Sequence, residues 1–144
     1  MIDLDAFKQL NDTLGHQLGD EILQLAARAL RTNCRQSDVA GRFGGDEFIL
    51  LLPRTDKESA KQVAARILEQ FQLSTKARLD GCNWSGDLSM SIGVATVQHS
   101  NPSGPERLIA QADHALYLAK QAGKTQVVVF NTTAPARDAR TANT

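Results

Sequence analysis

The chain opens on Met1-Ile2-Asp3-Leu4-Asp5, where apolar and acidic positions alternate with the period of two that marks a strand. At about five residues it is short at its front, as though cut from something longer. A helix is expected over residues 6–14, with Asp5 as its N-cap and Gly15 as its stop. Ile22, Leu25, Ala26, Ala29 and Leu30 recur at intervals of three and four. That spacing predicts a second amphipathic helix from 19 or 20 to 32, with Asp20 and Glu21 at its positive end. Two apolar runs, 39–43 and 48–52, flank Gly44-Gly45 and read as a β-hairpin whose glycines take positive φ. Ala60, Val63, Ala64, Ile67, Leu68 and Phe71 have the cleanest period of 3.6 in the chain and predict a third helix over 56–71. From 77 to 97 the pattern turns to strand. Asp80-Gly81, Ser85-Gly86 and Asp87 mark turns around an excursion whose Trp84 is expected to pack on the core, and 88–95 alternates as a half-buried strand. A loop at 101–105, a fourth helix over 106–121 capped by Gly123, a strand at 126–130 and a disordered tail over 131–144 complete the sequence.

This order predicts an α+β domain: a central, mostly antiparallel sheet with helices packed on its faces, occupying residues 1–130. A chain of 144 residues, 42% hydrophobic and 22% charged, suffices for one such core, and no repeat or second domain is visible. The formal net charge of zero argues against a nucleic-acid partner. Cys34 and Cys82 have neither metal-ligand spacing nor a secreted framework. With no apolar run near ~20 residues and no signal peptide, a cytoplasmic location is expected.

In such a sheet the end of the first strand lies beside the hairpin, so that Asp3 faces Asp46 and Glu47. Each pair of carboxylates at ~4 Å costs about 4 kcal/mol at an effective dielectric near 20. A cation is therefore expected, and all-oxygen donors select Mg²⁺ or Mn²⁺. The amides of Ala6, Phe7 and Lys8, at the start of the first helix, form an adjacent anion site. Taken singly, each of these residues has a plainer explanation. Acidic residues after a turn are commonly just solvated, Asp20 suits a helix start, and lysines suit a helix C-terminus.

Taken together they do not. Asp3-Leu4-Asp5-Ala6-Phe7-Lys8, Asn11-Asp12, Gly15-His16, Gly19-Asp20, Gly44-Gly45-Asp46-Glu47-Phe48, Ser91-Ile92-Gly93-Val94-Ala95, Ala112-Asp113, Tyr117-Leu118-Ala119-Lys120 and Gly123-Lys124 occur in the order found in the GGDEF family of diguanylate cyclases, which the chain resembles from Met1 to Phe130. The resemblance implies a palm-like nucleotidyl cyclase fold with a ferredoxin-like core. It also implies the reaction: two GTP condense to cyclic di-GMP with release of two pyrophosphates, in a bacterial cytosol. By the same resemblance Asp3, Asp46 and the Leu4 carbonyl are metal ligands. Glu47 is a second metal ligand and the acid needed for turnover. Asn11 and Asp20 read guanine, whose N1–H and 2-amino group are both donors. Lys120 holds phosphate, and so does Lys124, where the family commonly has arginine and its two-pronged grip. His16 matches a recurrent position, with a structural hydrogen bond as its expected role.

Arg35-Gln36-Ser37-Asp38 matches the family's RxxD product-inhibition motif, with Arg66 as a supporting arginine. Turnover in the family requires two copies facing each other across a twofold axis, since each holds one GTP. An upstream sensory or dimerising domain is expected in the full-length protein, along with the family's segment before the first strand, which this chain lacks. Two rival readings stand beside an active cyclase. One is a catalytically silent receptor for cyclic di-GMP or GTP, and the other is a palm-type nucleotidyl transferase that uses a different nucleotide.

Overall fold

A computed structural model describes residues 1–97 and 104–131. Five strands, β1 (Ile2–Asp5), β2 (Val39–Arg42), β3 (Glu47–Leu51), β4 (Ser89–Val94) and β5 (Val127–Val129), form one sheet in the order β2-β3-β1-β4-β5. All neighbours are antiparallel except β4 and β5. The helices are α1 (Phe7–Leu14), α2 (His16–Asn33), α3 (Lys57–Leu79) and α4, the segment Pro105–Gln121. The expected α+β architecture is therefore present. The tail from 132 onward, residues 101–103 of the expected loop and His99 lie outside the described residues.

Alternation along the central strands decides which helix goes where. Ile2 and Leu4 of β1, Phe48 of β3 and Met90 and Ile92 of β4 project to one face, where Leu10, Ile22, Leu30, Ile67 and Phe71 from α1, α2 and α3 bury them. Each such side chain contributes roughly 1.5–3 kcal/mol by leaving water. The residues between them face the other way, toward α4. Gly93 is the closest approach: a Cβ there would lie 2.1 Å from the Ala112 carbonyl oxygen and 2.2 Å from the Leu116 nitrogen. Gly93 also donates to the Met1 carbonyl at 2.8 Å, and its own carbonyl accepts from the Met1 nitrogen at 2.9 Å. Helix α4 covers only part of its face. Val39 and Leu51 remain exposed, and an apolar groove of about 830 Å³ runs from Ile49 and Leu51 past Val94 to Leu108 and Ala112.

Five local expectations are corrected. Helix α2 starts at His16, a turn before the expected 19 or 20, because Gly15 at φ 87° both ends α1 and begins α2. Helix α3 runs on to Leu79 instead of stopping at 71, so strand begins at Ser89 and not near 77; Thr75 is buried and bonds back to the Phe71 carbonyl at 2.9 Å. The hairpin forms, but neither Gly44 nor Gly45 has positive φ. Asp5 does not cap α1: the cap position is Ala6, at φ 61° and ψ 17°, with no side chain capping it. Strand β4, expected to be half-buried, is buried on both faces from Ser89 to Gly93, because α4 covers the face turned away from the main core. Elsewhere the pattern holds. Asp56 caps α3 by accepting from the Ser59 amide at 2.8 Å. Half-buried Trp84 packs against the core over Gly86. Cys34 and Cys82 are free, and burial, with Asp38 nearby, pushes the Cys34 thiol up. Helix α4 ends in a Schellman turn, Gly123 at φ 110° letting the Lys124 amide donate to the Ala119 carbonyl at 3.0 Å.

The contact at Gly93 generates a prediction. Gly93→Ala places a methyl against backbone on α4 that cannot rotate away, so α4 must lift from the sheet. The expected loss is about 1–3 kcal/mol or more, read as a lowered urea midpoint with an unchanged slope.

Candidate active site

The last residues of β1 divide between two tasks. Asp3 pairs in register with Glu47 across β1 and β3, and the Leu4 amide donates to the Asp46 carbonyl at 3.1 Å. This brings the three predicted carboxylates into one neighbourhood, with Asp3 buried and Asp46 and Glu47 half-buried. Burial pushes the Asp3 carboxyl above the usual carboxylate range; Lys120 opposes that shift, while Asp46 and Glu47 add to it. Lys120, in the last turn of α4, reaches Asp3 Oδ2 with its Nζ at 2.7 Å. Among the described residues no three His, Cys, Asp or Glu side chains are gathered closely enough to hold a metal ion. A lysine ammonium sits instead on the most buried of the carboxylates.

Asp5, read from the sequence as a helix cap, has other work. It is buried and accepts from the Ser91 hydroxyl at 3.0 and 2.9 Å through its two oxygens, and from the Thr125 amide at 3.2 Å. One carboxylate thus ties β1 to β4 and to the turn carrying Lys124. Lys124 itself is exposed, at φ 64°, and Thr125 follows at φ 53°. With the Asp5 side chain engaged there, the start of α1 at Ala6, Phe7 and Lys8 is left without a side-chain cap.

The two residues expected to read guanine, Asn11 and Asp20, lie on neighbouring helices α1 and α2. Gly19 lies so close to Asn11 that a Cβ there would be 1.8 Å from Asn11 Oδ1, and that oxygen is buried without a hydrogen-bond partner. Asp20 follows directly, exposed, at the mouth of a cleft of about 420 Å³ lined by Leu23, Ala27, Gly41, Arg42 and Phe48. Because α2 starts at His16, Asp20 sits in its second turn, and α2 has no acidic residue in its first turn. The helix-dipole explanation for Asp20 therefore falls away. His16 is exposed and makes no hydrogen bond in the described structure, against expectation.

Sequence reasoning missed Arg42. Its Nε donates to the Gly44 and Gly45 carbonyls, each at 3.1 Å, and its Nη2 to the Gly45 carbonyl at 2.7 Å. The Phe43 and Gly44 amides both reach the Glu47 carbonyl, at 2.8 and 3.2 Å. The Gly-Gly turn is thus braced by a guanidinium and by converging amides. The absence of a Cβ at Gly44, which would come 2.6 Å from Glu47 Oε2, leaves room for that carboxylate.

A second cluster, separate in its hydrogen bonds, lies where α2 ends. Asp38 Oδ2 accepts from the Arg35 amide at 2.7 Å, and the Asp38 amide donates to the Arg35 carbonyl at 3.1 Å, closing Arg35–Asp38 into a turn. Arg66 Nε donates to Asn33 Oδ1 at 3.3 Å, while Asn33 Nδ2 donates to Gln70 Oε1 at 2.8 Å and to the Ala29 carbonyl at 2.9 Å. Arg66 is thereby tied to Asn33, two residues before Arg35. Asn33 and Gln70 carry no pattern by which sequence alone could have flagged them.

A five-stranded, mostly antiparallel sheet with helices on both faces, and acidic residues where two central strands meet a Gly-Gly turn, is the palm-like nucleotidyl cyclase fold. The family model "Diguanylate cyclase, GGDEF domain" matches residues 1–126, and the chain belongs to the GGDEF family. It is 38% identical over 130 residues to diguanylate cyclase DosC of Escherichia coli strain K12, covering 90% of this chain but only 27% of that protein. Among solved structures, the GGDEF domain of TpbB (YfiN) from Pseudomonas aeruginosa is similar at a TM-score of 0.74 and 33% identity, over 90% of this chain and 74% of the other. The GGDEF domain of DgcB from Caulobacter crescentus, solved in complex with c-di-GMP, is similar at 0.70 and 28%, over 89% and 74%.

For Asp5 we expect Asp5→Ala to strand the Ser91 hydroxyl and the Thr125 amide at a cost of about 1–3 kcal/mol. Asp5→Asn, which keeps one acceptor, should recover part of that in a thermal melt. Hydrogen exchange at the Thr125 amide should rise in the alanine variant.

Proposed function

We propose that this chain is the catalytic unit of a diguanylate cyclase, condensing two GTP to cyclic di-GMP and two pyrophosphates. The observation that carries this is the meeting of buried Asp3 with Asp46 and Glu47 across β1 and β3, beside a helix start left free of a side-chain cap. The DosC similarity supports the same reaction class.

The donor set fits a hard divalent cation, Mg²⁺ or Mn²⁺: oxygen only, anionic, with its most buried member already neutralised by a cation, Lys120. Asp3, Asp46, Glu47 and the Leu4 carbonyl would hold it once the three carboxylates close on it, since in the resting chain they are not gathered closely enough. When bound, it would supply charge neutralisation at the α-phosphate and acidify the 3′-hydroxyl. The rest falls to the chain's own residues. Glu47 accepts the 3′-hydroxyl proton. The amides of Ala6, Phe7 and Lys8, with Lys120 and Lys124, receive the triphosphate, and the dipole of α1 adds to their pull. Asn11 Oδ1 and the Asp20 carboxylate accept from guanine N1–H and the 2-amino group, a pair of donors that adenine does not present; leaving such acceptors unpaired costs up to ~10⁴-fold in selectivity. Arg42 keeps Asp46 and Glu47 at a fixed height over the turn.

One chain binds one GTP, so two copies must face each other, and an upstream dimerising or sensory domain in the longer protein would present them. Such an output domain works in the cytoplasm, where GTP is. No helix among the described residues is long and apolar enough to cross a membrane. At the Arg35–Asp38 turn, with Arg66 alongside, cyclic di-GMP binds as an inhibitor. The backbone of the turn is already closed by Asp38, leaving the Arg35 guanidinium to grip a guanine edge or a phosphate.

The test is chromatography of nucleotides after two copies, held together by a fused parallel coiled coil and stripped of bound product, are incubated with GTP and Mg²⁺. Cyclic di-GMP is expected, and Glu47→Ala should lower its rate by about 10²–10⁴-fold. No product from a folded protein that still binds cyclic di-GMP would instead make the chain a receptor. Arg35→Ala should weaken product binding by roughly ten- to a hundredfold and relieve inhibition, leaving the initial rate intact. Unchanged inhibition would remove the inhibitory site from the proposal.

A further inference from the structure

We propose that Lys120 is a resident counter-ion that blocks the cation site until a triphosphate arrives, and that its exchange from Asp3 to phosphate makes metal and nucleotide bind cooperatively. The inference rests on the metal-assisted reading above, and it concerns what the chain does before substrate is present.

The geometry is unequal in a way that sets the direction of exchange. Asp3 cannot move: its strand is hydrogen-bonded on both sides, to β3 and to β4, and only 12% of its side chain is exposed. Lys120 can move, being 37% exposed on a four-carbon stem. Its backbone, however, is fixed in the last turn of α4, between the Gly93 contact and the Schellman turn at Gly123. The side chain therefore swings from a fixed root within reach of Asp3.

Among the described residues Asp3 has this one ion-pair partner, and neither Asp46 nor Glu47 has any. A divalent ion bound to Asp3 Oδ2 would stand no more than about 5 Å from the ammonium, like charges in a partly dry site, so the two compete for Asp3. With no nucleotide, a displaced Lys120 would have only water to turn to, and metal binding must work against the ion pair. A bound triphosphate offers the ammonium a stronger anionic partner a short swing away. Nucleotide thus opens the site to metal, and by linkage metal tightens nucleotide by the same factor. The consequence is a site that stays empty of metal when GTP is absent.

The experiment measures Mn²⁺ binding to the 144-residue chain by electron paramagnetic resonance, with and without a non-hydrolysable GTP analogue. The wild-type chain should bind Mn²⁺ at least about tenfold more tightly with the nucleotide present. In Lys120→Met, affinity for Mn²⁺ without nucleotide should rise by about tenfold and the gain on adding nucleotide should shrink. Lys120→Gln, which keeps a donor to Asp3 without the charge, should behave like Lys120→Met; a thermal melt identifies any variant that fails to fold. Nucleotide-free Mn²⁺ affinity that is unchanged or lower in the folded variants overturns the proposal while leaving the metal reading in place. Failure of the wild-type chain to bind Mn²⁺ even with nucleotide overturns both.

Discussion

Negative charge gathered on adjacent strands must be compensated, and the Asp3–Lys120 pair is where this fold does so. β1 runs through the middle of the sheet, so its carboxylates are buried by construction; β3 and the turn before it add two more within reach. The ammonium that answers them comes from α4, on the face opposite the main core. Its arrival depends on how α4 is seated, which Gly93 determines by letting helix backbone rest on strand backbone. A glycine in β4 therefore governs an electrostatic contact on β1 without touching either partner.

The two acids of β1 show how one strand serves both stability and chemistry. Asp3 and Asp5 share a face two residues apart. Asp5 spends its lone pairs on Ser91 and Thr125 and belongs to the scaffold, holding together β1, β4 and the turn after α4. Asp3 is left with one mobile partner and belongs to the site. The difference lies in the partners: Ser91, in register with Asp3 on β4, gives its hydroxyl to Asp5, while Asp3 has Glu47 beside it on β3 and answers to Lys120.

Much of this was legible in the sequence, for identifiable reasons. The 3.6-residue stripes of α2 and α3 each bury one face against one core, so local pattern and tertiary burial agree; the alternation of β4 marks a strand, but both of its faces are buried. Where they parted, the pattern misled. α3 runs past Phe71 because Thr75 continues the buried stripe with a polar side chain, while Leu73 stays exposed, reversing the usual correspondence. The early start of α2 was hidden because Gly15 serves two helices at once. Asp5 has a cap's position but not its contact, since its partners lie 86 and 120 residues away, beyond any local rule. The candidate carboxylates were found because strand order brought them together. Arg42 and Asn33 were not, because each acts by hydrogen bonds that no spacing encodes.

Ala6 carries a consequence of a different kind. A non-glycine residue at φ 61° is strained, and glycine would sit there more easily. Alanine keeps the backbone from wandering in the unbound chain, so the strain is the cost of holding the start of α1 in one shape.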